Sequence, residues 1–175
     1  MSIAEVAKER NAKFLHGEHI LMRLTYVSRY NSHNENDELN KILDQARKNN
    51  ANRGITGVLV FNHDYFLQSI EGRRPVINEL LRKLIKDQRH FSLQIIEAKE
   101  IDQRRWTHWD MNYLTPTARH KDKALQFSGA DKFNPYLMST RQIMMLIETL
   151  TKMQEQDTRK QTSKKTGLFG LKRAG

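Results

Sequence analysis

The spacing of hydrophobic and polar positions changes period several times along this chain, and each change marks an element. Between Ile20 and Val27 the period is two: Ile20, Met22, Leu24 and Tyr26 share one side and Arg23 and Thr25 the other, as in a strand. Asn31 to Asn36 reads as a loop. Asn36 or Asp37 can then cap a helix in which Leu39, Ile42, Leu43 and Ala46 keep helical spacing and which ends near Asn50, before Gly54. Residues 54 to 61 are rich in β-branched and aromatic types. Asn62-His63-Asp64 separates them by a hairpin-length loop from Tyr65 to Gly72, so these two strands are expected to pair antiparallel. Pro75 suits the first turn of a second helix, with Val76, Ile77, Leu80, Leu81, Leu84 and Ile85 as its apolar stripe. Phe91 to Ala98 reads as a fourth strand and Trp106 to Leu114 as a fifth.

The order βαββαβ with an added strand predicts an α+β, ferredoxin-like sandwich, with one sheet carrying two helices on a single face. Four segments are expected: a polar N-terminal extension (1–17), the sandwich (18–115), a C-terminal helical extension (116–157) and a basic, flexible tail (158–175). The strongest helix of the extension opens near Ser139-Thr140 and lines up Ile143, Leu146, Ile147, Leu150 and Met153. Four of the seven methionines lie in this region, and their side chains adapt to exchangeable contacts.

Composition narrows the chemistry. With 175 residues the chain fits one domain with extensions. Zero cysteines exclude disulfides, thiolate catalysis and Cys-ligated metal, and agree with a reducing cytoplasm. No run reaches the length of a membrane span, so the reading is a soluble protein without membrane association. Of the net charge of +10, half falls between Lys152 and Gly175. A basic tail can hold nucleic acid by charge, though no recognition motif accompanies it.

Gln68 stands out, because Phe66, Gln68 and Ile70 point to the same side of a strand whose neighbours are apolar. A buried amide needs partners, as does the Tyr26 hydroxyl on the apolar face of the first strand, since each left unpaired costs about 1–3 kcal/mol. The two could satisfy each other or a ligand. From these residues alone, a structural tyrosine beside an amide bonded to backbone is the simpler reading. A small hydrolase on the same sandwich would want a phosphate cradle or a Ser/His/Asp set, and neither is present. The seven histidines lack metal-ligand spacing, and Asp64 with Glu71 reads as a solvated hairpin pair, not an acid/base couple. The chain is therefore not expected to be an enzyme or to bind a metal.

Taken together, Leu24-Thr25-Tyr26-Val27-Ser28, Asn50, Gly54-Ile55-Thr56-Gly57 and Phe66-Leu67-Gln68-Ser69-Ile70-Glu71-Gly72 resemble the BLUF family, the blue-light sensors that use FAD. Asp87-Gln88-Arg89-His90 and Trp109-Asp110-Met111 extend the likeness, which spans about Ile20 to Leu114. The resemblance implies non-covalent FAD between the two core helices. It makes Tyr26 the phenol that bonds Gln68 and gives an electron and a proton to the excited flavin, and Gln68 the amide that bridges phenol and ring. Asn50 would bond the flavin edge, Ile42 and Ile55 would contact it, and Arg89 with His90 would lie towards the ribityl-phosphate side. Trp109 and Met111 match the pair that passes the signal outward. Some family members carry cyclase or phosphodiesterase domains, for which this chain has no room. It is thus expected to signal by changing association with a protein partner, or its own oligomer, through the C-terminal helices. The alternative is a binding module without photochemistry that uses its helix or tail on protein or nucleic acid.

Overall fold

A computed structural model describes residues 17–31, 36–62, 64–107, 112–114, 127 and 133–170; side chains are described as far as residue 160, those of residues 36–40 and 42 excepted. The elements run β1 (Leu21–Tyr30), α1 (Asn36–Asn52), β2 (Thr56–Phe61), β3 (Tyr65–Arg73), α2 (Arg74–Lys86), β4 (His90–Ile101), β5 (Asn112–Leu114), a 3-10 turn (Pro135–Leu137) and α3 (Thr140–Gly170). The sheet order is β4-β1-β3-β2-β5. β3 lies antiparallel between β1 and β2, β4 pairs antiparallel with β1, and β5 is added parallel to β2. This is the predicted ferredoxin-like arrangement, with the added strand at the edge.

Both faces of the sheet are covered. On one, Leu24, Tyr26, Ile55, Leu59, Ile70 and Ile77 pack with Leu43 of α1 and with Val76, Leu80, Leu81 and Leu84 of α2. On the other, Val27, Val58, Val60 and Leu67 pack with Ile143, Leu146, Ile147 and Leu150 of α3. Alternation along β1 and β3 therefore separates two apolar cores, not a core from solvent. β2 and β3 approach closely at Gly57, where a Cβ would stand 2.4 Å from the Ser69 carbonyl oxygen.

Three expectations change. Of the expected fifth strand, Asn112–Leu114 is strand, Trp106 is a buried residue of an irregular segment, and residues 108–111 lie outside the described residues. The basic tail is helical as far as Gly170, because no glycine or proline interrupts residues 140–166 and Lys, Arg and Gln favour helix. Glu71, far from solvated, is fully buried. Its position opposite Arg23 in the β1/β3 register brings two guanidinium N–H groups to Oε1, at 2.8 and 2.6 Å. Its Oε2 accepts the backbone N–H groups of Arg105 (2.7 Å) and Trp106 (3.1 Å). Arg104 reinforces this junction, donating to Thr56 Oγ1 and to the carbonyls of Glu71 and Gly54 at 2.7–2.9 Å.

Removing the Glu71 carboxylate strands a buried guanidinium and the backbone N–H groups of Arg105 and Trp106. Glu71→Ala should therefore lower unfolding free energy by about 3–5 kcal/mol in a urea titration. Glu71→Gln, which keeps two acceptor lone pairs, should lose less.

Candidate functional site

A cavity of about 180 Å³ opens between α1, α2 and the sheet face that carries Tyr26 and Gln68. Local sequence places each wall. The period of β1 brings Tyr26, Ser28 and Tyr30 to the same side, and β3 adds Phe66 and Gln68. The tight end of α1 fixes Asn50, whose carbonyl accepts from the N–H groups of Arg53 (3.1 Å) and Ile55 (2.9 Å) around Gly54. Gly54 has φ +62°, the left-handed conformation that suits a helix C-terminus. Leu80 and Leu84 of α2 supply apolar wall, and Asp87, Arg89 and His90 stand at the α2–β4 connection.

Tyr26 and Gln68 face each other across the β1/β3 register, and the Tyr26 hydroxyl donates to Gln68 Oε1. Both are buried. Burial pushes the Tyr26 phenol above its ordinary range, and the negative Asp87 adds to the effect. Hydrogen bonds from Arg89 hold the Asp87 carboxyl below the usual carboxylate range, including Arg89 Nε to Oδ1 at 2.8 Å and to Oδ2 at 3.0 Å. The His90 ring lies 6.5 Å from that of Tyr26, centroid to centroid. Burial lowers its basicity, with Asp87 acting in the opposite sense and Arg89 in the same sense.

Polar demand remains inside the cavity. Ser28 Oγ and both ring nitrogens of His90 are buried without hydrogen-bond partners among the described residues, and all three groups belong to residues that line the cavity. Apolar side chains such as Leu43, Leu59, Leu80 and Leu84 beside unanswered polar groups suit an aromatic ligand with a polar edge, so the residues present fit a flavin ring.

Of the residues singled out in the sequence, Tyr26, Asn50, Gln68, Arg89 and His90 converge on the cavity. Ile55 does not line it; it packs beneath, in the core with Leu24 and Ile70. Ile42 lies on α1 but its side chain is outside the described ones, and Trp109 and Met111 are outside the described residues. Sequence reasoning passed over Ser28 and Tyr30 as site residues, although the alternation that selected Tyr26 also selects positions two and four further on. Among the described residues no group of His, Cys, Asp and Glu could hold a metal, and no helix is long and apolar enough to cross a membrane.

A family model described as sensors of blue-light using FAD, BLUF, matches residues 21–112. The chain is 28% identical over 100 residues to the photoactivated adenylate cyclase subunit beta of Euglena longa, covering 57% of this chain and 12% of that protein. It is 27% identical over 111 residues to the blue light- and temperature-regulated antirepressor BluF of Escherichia coli (strain K12), covering 59% of this chain and 28% of that protein. It thus spans less than a third of either curated relative. The solved structure of BlsA in its ground state superposes with a TM-score of 0.68 at 31% identity, covering 74% of this chain and 87% of BlsA.

His90 generates a pH dependence. Its folded value lies below the unfolded value of about 6.5, so the unfolded chain takes up this proton first as pH falls. The stability held above pH 6.5 should decline below it, and His90→Gln should flatten that part of a plot of unfolding free energy against pH.

Proposed function

This chain belongs to the BLUF family, the sensors of blue light using FAD, and we propose that it binds FAD and converts light into a changed association with a separate protein or a second copy of itself. The buried Tyr26–Gln68 hydrogen bond on the wall of a flavin-compatible cavity carries this reading. A bound flavin supplies absorption of blue light and an excited state that accepts an electron and a proton.

Everything else falls to side chains of this chain. Tyr26 holds its proton firmly in the dark, because a tyrosinate in this desolvated position is disfavoured. Its phenolic proton therefore leaves only together with an electron. Gln68 carries an acceptor oxygen and a donor NH₂ on one planar group, so rotation or tautomerisation exchanges the bonds it makes without moving the backbone. Asn50, Ser28 and His90 supply polar edges that orient the ring, while Leu43, Leu59, Leu80 and Leu84 exclude water from it.

A route to the far face of the sheet supports output through α3. The Tyr113 hydroxyl of β5 donates to the Leu43 carbonyl on the cavity wall at 2.5 Å, and the Arg47 guanidinium lies 4.1 Å from the Tyr113 ring centroid. On the other side, Gln154 of α3 accepts from Asn112 Nδ2 at 2.7 Å and donates to the Tyr113 carbonyl at 3.1 Å. β5 is thereby tied to both layers, and two arrangements of it would present α3 differently to a partner. That one relative is named as an antirepressor supports a protein as that partner.

Absorption spectra before and after blue light test the photochemistry. The intact chain should show a small, reversible redshift of the flavin band, and Tyr26→Phe and Gln68→Leu should abolish it while flavin remains bound. A normal photocycle in either variant sinks the assignment. Gln154→Ala should keep the redshift yet lose most of any light-dependent change in sedimentation or partner binding.

A further inference from the structure

Ile85 (64% exposed), Phe91 (47%) and Ile95 (49%) are large apolar side chains that line one groove between the last turn of α2 and the edge strand β4. Leu84 and Leu93 complete its apolar surface, and Leu84 and His90 are shared with the cavity beside Tyr26. We propose that residues 1–16 of this same chain dock in the groove as an amphipathic strap, which covers these side chains and backs the wall shared with the cavity.

The chain enters β1 through a turn that aims the preceding segment at the groove. The Gly17 carbonyl accepts from the Ile20 N–H at 3.0 Å, and such a bond reverses the chain. A segment leading into this turn runs antiparallel to β1 and hence parallel with β4. Gly17 is buried, and a Cβ on it would stand 3.3 Å from Arg74 Nη1. Arg74 opens α2 and also pairs with Glu100 of β4. The turn therefore sits where the first residue of α2 meets the end of β4, and the groove lies farther along the same two elements.

An added strand is the wrong occupant for this edge. In the β1/β4 register Val27 opposes Gln94 and Arg29 opposes Phe91, so Ser92 and Leu93 together oppose Ser28 in a bulge. Tyr26 opposes Ile95 and Thr25 opposes Glu97, which leaves Ile96 as a second extra residue. Ser92 has φ +54°, in the left-handed region, and the Tyr136 hydroxyl holds it there by donating to the Ser92 carbonyl at 2.6 Å. Bulges of this kind disrupt the ladder that an incoming strand needs, so the groove calls for packing side chains, as a helix face supplies. Read as a helix, residues 1–16 bring Ile3, Val6, Ala7 and Phe14 to one side. Arg10 falls among them, and its apolar stem can lie along the groove while the guanidinium reaches water. The lengths agree as well. On a helix, Val6 and Ile3 lie about 17 and 21 Å before Gly17 at 1.5 Å per residue. Ile95 and Phe91, read through their β1 partners Tyr26 and Arg29, lie about 13 and 23 Å from Glu100 at 3.3 Å per residue.

The chain has no cysteine, so a pair can be introduced cleanly. The test combines Val6→Cys with Ile95→Cys in the full chain and measures the rate of cross-linking by a short bismaleimide. Val6→Cys with Met145→Cys is the control, since Met145 is exposed on α3, at the other face of the sheet. Because docking raises the effective concentration of the pair, Val6→Cys with Ile95→Cys should close within one chain about tenfold faster than the control. Adding Ile3→Asp should abolish that excess. Should Ile95→Cys fail to fold, Ile85→Cys takes its place in the same pairing. Equal rates for the two pairs overturn the proposal, as does an excess that survives Ile3→Asp. Cross-links that form only between chains place a second copy in the groove and overturn it too.

Discussion

A strand covered on both faces must satisfy every polar side chain from within the protein, and β3 is such a strand. It carries Gln68 towards the helical layer of α1 and α2, and Ser69 and Glu71 towards α3, all buried. Each has a partner on β1 directly across the register: Tyr26 for Gln68, Thr25 for Ser69 (Oγ1 to Oγ, 3.0 Å) and Arg23 for Glu71. In a low-dielectric interior such pairs are costly to break and specify one register, since a slip of one residue would place every member on the wrong face. The cross-strand pairing thus fixes the fold and also poises the Tyr26–Gln68 bond beside the cavity.

The outer two of these three pairs do different work. Arg23–Glu71 is permanent, with both carboxylate oxygens occupied and the start of the β4–β5 connection held to them. Tyr26–Gln68 joins neutral groups, and an amide can trade acceptor for donor at little cost. Static charge on one side of the sheet and an exchangeable bond on the other allow a local rearrangement without loss of register.

Much of this was legible in the chain itself. Alternation placed Tyr26 and Gln68 on an apolar face, and the turn around Gly54 placed Asn50 at the end of α1. Glu71 was not legible as a buried residue, because period-two alternation cannot tell a solvated face from one covered by a helix 70 residues later. The helical basic segment was obscured by its charge, although Lys, Arg and Gln are good helix formers. Ile85 continues the apolar stripe of α2 in sequence, yet it is largely exposed, beside the edge strand β4. The β4 bulge leaves no mark in composition, since Ser92 reaches positive φ through a contact with Tyr136, 44 residues away.

The length of α3 has a mechanical meaning. Its first three turns are anchored in the core through Ile143, Leu146, Ile147 and Leu150, and Thr151 is the last buried residue among its described side chains, while the helix continues to Gly170. From Gln154, where it is bonded to β5, the helix continues for about 24 Å at 1.5 Å per residue, so a tilt of about 5° there carries its far end roughly 2 Å. A lever of this kind turns a change of a few tenths of an ångström under Gln154 into a displacement large enough to make or break a side-chain contact.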